Sequence, residues 1–288
     1  MAKPRAILKR SQSIKSIAKI TNTMYKIAAA KFKRAHDRAV AARPYTDKLT
    51  QLIGDLARAA GDDFDHPLLE VREPKKAVVI AIASNRGLCG GYNSNIAKLA
   101  YSTCVELEER GLDLHTVASG KRLISMLKFR DLEADTNITD IDDKPTFEQV
   151  DAISQEVLDM YANGEIEEVY VVYTKFVSAS RQTPVCEKVL PLETPAAEEG
   201  AASHHYLFHP TAEEILSDLL PRSVRLHMYQ AFLDAAVSEQ TARRMAMKNA
   251  TDAAEDIIKD LTMLYNRSRQ AQITTELSEI IGGAAALE

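Results

Sequence analysis

Two stretches free of helix-breaking residues frame this chain and limit what it can become. From Arg5 to Arg43 there is neither glycine nor proline, and from Arg222 to Ile281 sixty residues run without either. Both are rich in good helix formers. In the first, Ile7, Ile14, Ile17, Met24, Ile27 and Ala28 recur mostly at steps of three or seven. That is the narrow seam of a coiled coil, not the broad face of a globular helix. In the second, Met228, Phe232, Ala235, Ala242, Met245, Ala253, Ile257, Leu261, Leu264, Ile273, Leu277 and Ile280 carry a comparable pattern. Sixty helical residues reach about 90 Å, whereas a compact domain of this length is only about 40 Å across. A rod of that length needs something to cover its seam, and the other long helix is at hand. The chain ends are therefore expected to form a long antiparallel coiled coil. Upstream of the second stretch "PTAEE" reads as a helix start with early acids. Pro44 is expected to open a further helical stretch, "YTDKLTQLIGDLARAA", which ends at Gly61.

The middle of the chain has a different rhythm. "AVVIAIAS" (77–84) is a buried-strand run, followed by a glycine turn and the helix "NIAKLAYSTCVELEERG". "LHTVASG" then reads as a strand, "KRLISMLKF" as a helix, "FEQVDAISQEVLDMYANG" as a helix and "EEVYVVYTKF" (167–176) as a strand. Strands alternating with helices imply an α/β layer with a mostly parallel sheet. A soft linker, "LETPAAEEGAAS" (192–203), precedes "HHYLFHP". The fold class is thus α/β: a Rossmann-like domain over residues 67–204, flanked by coiled-coil helices at 1–66 and 205–288.

The glycine turn, "SNRGLCGGYNSN", invites a nucleotide. Its glycines stand at Gly87, Gly90 and Gly91, with no Lys-Ser/Thr pair after them. It fits neither the dinucleotide fingerprint nor the P-loop, and it reads as a tight structural turn from strand to helix. No cofactor is expected there. His204, His205 and His209 stand together but lack Cys or acidic ligands at a metal-binding spacing, so no metal is expected either. No nucleophile motif, zincin helix or acid pair nominates a catalytic site. Cys89 lies on the turn ahead of a helix N-terminus, where a thiol pKa can fall, although a buried inert thiol is the commoner outcome. Three cysteines without C-x-x-C spacing fit a reducing compartment. No run approaches the roughly 18 apolar residues that cross a bilayer, and no secretory signal is expected at the N-terminus.

Charge is distributed unevenly. Residues 1–43 carry twelve Lys or Arg against the single acid Asp37, while residues 44–221 carry 16 basic and 31 acidic groups. A cationic segment of this kind meets acidic partners. As a targeting peptide it is too long and too rich in lysine. As a nucleic-acid arm it has the charge but no recognisable binding module, and no nucleic acid is expected. As a coiled-coil strand its lysines solvate the outer faces, and that reading also accounts for the C-terminal helix. Two rivals stay open on the residues alone. A nucleotide-binding α/β enzyme with dimerising arms would lose nucleotide when Gly90 or Gly91 is changed. A nucleic-acid-binding coiled coil would bind in a steeply salt-dependent way.

Three stretches together resemble one family, the gamma subunit of the rotary ATP synthase. "RSQSIKSIAKITNTMYKIAAAKFKRA" is similar to that family's opening helix, and "SNRGLCGGYNSNI" to its glycine signature, with Asn85 where an acid is more usual. "SEQTARRMAMKNATDAAEDIIKDLTMLYNRSRQAQITTELSEIIGGAAAL" is similar to its closing helix. "VYVVYTKFVSASRQTPVCEKVLPL" also fits, with Thr174 where Asn is common. The resemblance runs from end to end and implies a non-catalytic rotor, present in one copy per complex. Its coiled coil would stand inside the hexamer of alpha and beta subunits. The α/β domain would sit at the base, near the epsilon subunit and the membrane ring of c subunits. Proton flow turns the ring, and the rotor presents a different face to each beta subunit in turn. A bacterial enzyme is implied, peripheral on the cytoplasmic face of the inner membrane, because the inserted cysteine pair of the chloroplast form is missing.

The resemblance also implies contact residues. Arg269 and Gln270, with Thr274 and Glu276 close behind, match the family's catch for a beta-subunit loop. Met24 in "TNTMYK" matches a position that faces beta, and Arg243 falls in the same neighbourhood, next to Arg244 where the family often has an apolar residue. Tyr206 and His209 lie in the stretch that meets the membrane ring, where the family commonly has an acid in place of His209. Gly87, Gly90 and Gly91 form the structural turn. The small, nearly uncharged tip "IIGGAAALE" would suit turning inside an apolar collar.

Overall fold

The computed structural model describes residues 4–60, 66–192 and 211–285. The chain divides into two units, Met1–Ala29 with Arg243–Glu288, and Ala30–Ala242. Both terminal helices contribute residues to each unit. The first, α1, runs Pro4–Ala60, and the last, α5, runs Ala212–Ala285.

The second unit holds a sheet of five strands. These are β1 (Lys76–Ile82), β2 (Asp113–Ser119), β3 (Thr136–Ile138), β4 (Glu168–Phe176) and β5 (Gln182–Leu190), in spatial order β3-β2-β1-β4-β5. The first four are parallel and β5 is antiparallel to β4. Helices α2 (Tyr92–Glu109), α3 (Lys121–Lys128) and α4 (Phe147–Ala162) connect them. All of β1 after Lys76 is buried, as expected for a central parallel strand covered on both faces. Its alternate residues serve two cores. Val78, Ile80 and Ile82 face a cluster with Leu56 of α1, Tyr161 of α4 and Leu220 and Met228 of α5. Ala77, Val79 and Ala81 face a second cluster with Ile96 and Ala100 of α2 and Leu123 of α3. Helix α4 is set by a reciprocal cap: Gln149 N donates to Thr146 Oγ1, and Thr146 N donates to Gln149 Oε1.

Within this unit α1 and α5 pack against each other in opposite directions. Ala35 and Ala39 meet Leu233, Val237 and Phe176, while farther along α1 Leu49, Ile53 and Leu56 share a core with Leu216, Leu220 and Val224 of α5. Within the first unit, Thr251 Oγ1 donates to Thr21 Oγ1 at 2.8 Å across the two helices. The antiparallel pairing and the α/β domain are thus both present.

Three expectations need correction. Pro44 does not open a separate helix but lies inside the continuous α1, where tertiary packing on both sides offsets the missing amide donor. Two strands escaped the sequence reading. One is β3, which is only three residues long, and the other is β5, which carries Pro184 and the adjacent charges Glu187 and Lys188. An edge strand tolerates a proline that a central strand would not. The seam register also differs. In α5, Met228, Phe232, Ala235 and Leu261 of the expected seam are buried, but past Arg243 the buried positions step by seven through Met247, Ala254 and Leu261, while Ala253 is exposed and Met245, Ile257 and Leu264 are 47%, 41% and 48% exposed. In α1, Ile7 and Ala28 are buried, Ile14 and Met24 are half-buried, and Ile17 and Ile27 face outward.

Candidate functional site

The glycine signature joins β1 to α2 at the carboxyl end of the sheet. Ser84, two residues past β1, is buried, and its amide and hydroxyl both donate to Asn93 Oδ1, at 3.0 and 2.8 Å. Asn93 Nδ2 donates to Cys89 Sγ at 3.2 Å, so that thiol is buried in the turn. The turn has left-handed backbone at Leu88 and Gly90, with φ of 63° and 58°, a conformation that glycine adopts without strain. Gly91 caps α2, and the Gly87 backbone passes Arg122, whose nearest atoms would lie 3.7 Å from an added Cβ. Asn85 uses both ends of its amide. Its Nδ2 donates to the carbonyls of Thr139 and Ile141, and its Oδ1 accepts from Lys121 N. A carboxylate could make only the last of these bonds, which gives a local reason for Asn in place of an acid.

Doubly wound folds bind ligands outside the carboxyl ends of the strands, where the strand order reverses. Here that point lies between β1 and β4, and α5 fills it. Tyr92 Oη donates to Ala235 O at 3.1 Å, and Ser238 Oγ donates to Thr174 O at 3.0 Å. The cavity left among Ser84, Asn85, Tyr92, Ser119, Phe232 and Ala236 measures about 20 Å³. That is room for one water, not for a nucleotide. The turn serves as a latch for the C-terminal helix, and its working residues are Tyr92 and Asn93.

A second junction lies two residues farther along β4, at Phe176. Asp234 of α5, only 3% exposed, accepts from Arg43 of α1 at 3.4 Å and from Gln230 at 2.9 Å through Oδ1, and from Phe176 N at 3.4 Å through Oδ2. Arg43 also donates to Phe176 O at 2.9 Å. Burial pushes the Asp234 carboxyl up from its ordinary value, while Arg43 and the donated hydrogen bonds pull the other way. Sequence reading passed over this residue, although one acid within "MYQAFLDAAV" was a usable signal. Cys104, packed under the sheet, is pushed up to about 12, mainly by burial, so its thiol is inert at neutral pH.

The residues expected to meet partners are placed as follows. Arg269, Gln270, Thr274 and Glu276 are all exposed on α5; Thr274 Oγ1 donates to Gln270 O and Gln272 Nε2 to Glu276 Oε1. Met24 is half-buried on α1, and Arg243 is buried. Tyr206 and His209, with His204 and His205, lie outside the described residues, as does the end of the C-terminal tip. Among the described residues no helix is long and apolar enough to cross a membrane.

A family model described as ATP synthase matches residues 3–287. The ATP synthase gamma chain of Rhodopirellula baltica is 47% identical over 296 residues, covering 100% of both chains. The chain belongs to the ATP synthase gamma chain family. The gamma chain of Desulfitobacterium hafniense is 39% identical, again over 100% of both chains. Among solved structures, a chain of the Euglena gracilis mitochondrial ATP synthase aligns with a TM-score of 0.66 at 20% identity, over 99% of this chain and 94% of that one. A chain from the central stalk and c-ring of the Tetrahymena thermophila mitochondrial enzyme gives 0.62 at 21% identity, over 80% and 99%. At these identities the two structures speak for the fold alone. As a gamma chain this protein is a central-stalk rotor subunit of ATP synthase and is not itself catalytic. Its filled crevice accords with a Rossmann-like layer used as a mount for helices.

Proposed function

We propose that this gamma chain turns inside a hexamer of alpha and beta subunits, and that residues 262–281 of α5 carry the working contacts. The observation behind this reading is the state of that segment. Met263, Leu264, Ile273, Leu277, Ile280 and Ile281 are between 48% and 70% exposed, interleaved with exposed Arg269, Gln270, Thr274 and Glu276. Apolar side chains exposed along two turns or more mark an interaction surface. Arg269 and Gln270 would hold a beta-subunit loop, supported by Thr274 and Glu276. Met24 would also face beta, with Arg243 engaging through the small part of its surface that is open.

In this reading residues 1–66 and 205–288 form the shaft helices and 67–204 the base. The base would meet the epsilon subunit and the ring of c subunits, and Tyr206 and His209, which follow it in the chain, would add to the contact with the ring. The complex would hold one copy and stand on the cytoplasmic face of a bacterial inner membrane. Two helices have no threefold symmetry, so three identical beta subunits would each meet a different face. An equilibrium shifts only when contacts differ between its states, and the angle of the shaft would supply that difference through rigid-body rotation.

Reconstitution tests the assignment. Mixed with alpha and beta subunits from the same source, the native chain should give a six-plus-one complex with ATPase activity. Arg269→Ala/Gln270→Ala should assemble with activity lowered by about tenfold, the effect of losing about 1.4 kcal/mol of coupling. Full activity in the double variant would remove these two residues from the catch.

A further inference from the structure

The contacts around α5 near the sheet are of two kinds, and the difference matters for a part that must carry torque. Ala35, Ala39, Leu233, Val237 and Phe176 pack there by apolar contact. Such contact is non-directional and by itself sets the rotational angle of a helix less sharply than a directional bond does. Hydrogen bonds and charge pairs are directional. They reach α5 from three other elements within residues 230–238, about two helical turns. Arg43 comes from α1, the Phe176 amide and Thr174 carbonyl from β4, and Tyr92 from α2. The Asp234 side chain is held from α1 and β4, and the Ala235 carbonyl from α2, so the helix is tied at adjacent residues by different elements and cannot turn without breaking directional contacts.

Asp234 is the centre of this arrangement. A buried carboxylate costs desolvation that an apolar residue of similar size would avoid. Fixing register or orientation is the best-attested return for that cost. We propose that Asp234, held by Arg43, is a positioning residue: it fixes the rotational angle of α5 on the sheet, so that torque applied to the α/β unit enters the helix without slip. Tyr92 and Ser238 are its secondary anchors. This deepens the central-stalk function and rests on it.

The test uses the complete ATP synthase in vesicles and, for rotation, the same complex with its hexamer immobilised and a probe on the α/β unit. Asp234→Asn keeps the size of the side chain and removes its charge, and Arg43→Lys keeps the charge but loses the planar Nη2 group that donates to both Asp234 and Phe176 O. Both should assemble and hydrolyse ATP at the native rate. The angular variance of the stalled probe should rise about twofold or more in Asp234→Asn, with protons moved per ATP falling by a similar factor against an opposing gradient. Arg43→Lys should fall between it and the native chain. A role confined to stability would lower the yield of complex and leave variance and proton ratio native in whatever assembles, and that result would overturn the proposal. Should Asp234→Asn fail to assemble, Tyr92→Phe removes a single hydroxyl and is judged by the same two readouts. A native complex that hydrolyses ATP with no rotation of the probe would contradict the central-stalk function instead, so the two failures are distinguishable.

Discussion

Asn85 and Glu187 show how single side chains tune this fold. Asn85 both donates and accepts, tying the glycine turn to the segment that follows β3 and to the start of α3. Glu187 on β5 does the opposite: it only accepts, from Tyr173 at 2.8 Å and Lys175 at 2.9 Å, with His227 of α5 within 3.3 Å. The His227 imidazole contributes most to lowering its carboxyl from 4.5 to about 2, against the opposing effect of burial, with Lys175 and Tyr173 adding to it. A depressed carboxylate stabilises the fold above its unfolded value and loses that contribution as pH falls through its folded one. The window is therefore between 4.5 and about 2. Urea unfolding of the native chain should lose on the order of 2 kcal/mol across it from this group, and Glu187→Gln should flatten that limb. An unchanged acid slope in Glu187→Gln would show that other carboxylates govern it. None of this was legible in the sequence, because a glutamate on an alternating strand looks the same whether or not a histidine some forty residues later comes to lie beside it.

Helix pairing depends on side chains smaller than those the sequence reading favoured. That reading took Ala28 together with larger apolar residues as the seam and did not include Ala35 and Ala39, whereas these three alanines are the deeply buried positions in this part of α1, each 2% exposed or less. Small residues let two helix backbones approach closely, and the larger Ile17 and Ile27 turn outward instead. Ala35→Leu should therefore destabilise the chain by about 1–3 kcal/mol through overpacking against Leu233 and Val237. Arg34→Leu, on the exposed neighbouring position, should stay within about 0.5 kcal/mol. Equal effects in thermal unfolding would mean that the interface repacks freely. Strand β5 gives the same lesson for sheets. Its Pro184 and charges argue against a strand locally, yet it pairs with β4 from Gln182 to Leu190 along one side, and the edge position removes the objection to proline.

For the molecule as a whole, the division into two units separates two kinds of stability. Removing residues 262–288 deletes a segment whose side chains are mostly exposed among the described residues and takes nothing from either core of the α/β unit. The truncated chain should keep the urea midpoint of that unit and lose ATPase activity and coupling in the assembled enzyme; a midpoint that fell with the truncation would join the two. The sequence by itself determined the long terminal helices, the alternation of strand and helix, the nature of the glycine turn and the family, because periodicity, turn chemistry and motif are local properties of the chain. Only the tertiary structure decided the register of the seam, the antiparallel edge strand, the filling of the ligand crevice by α5 and the burial of Asp234 against Arg43. Each of these depends on what lies opposite a residue, and for Arg43 and Asp234 the two partners are 191 positions apart. Burial and pairing at that separation follow from how the elements pack, which no local pattern records.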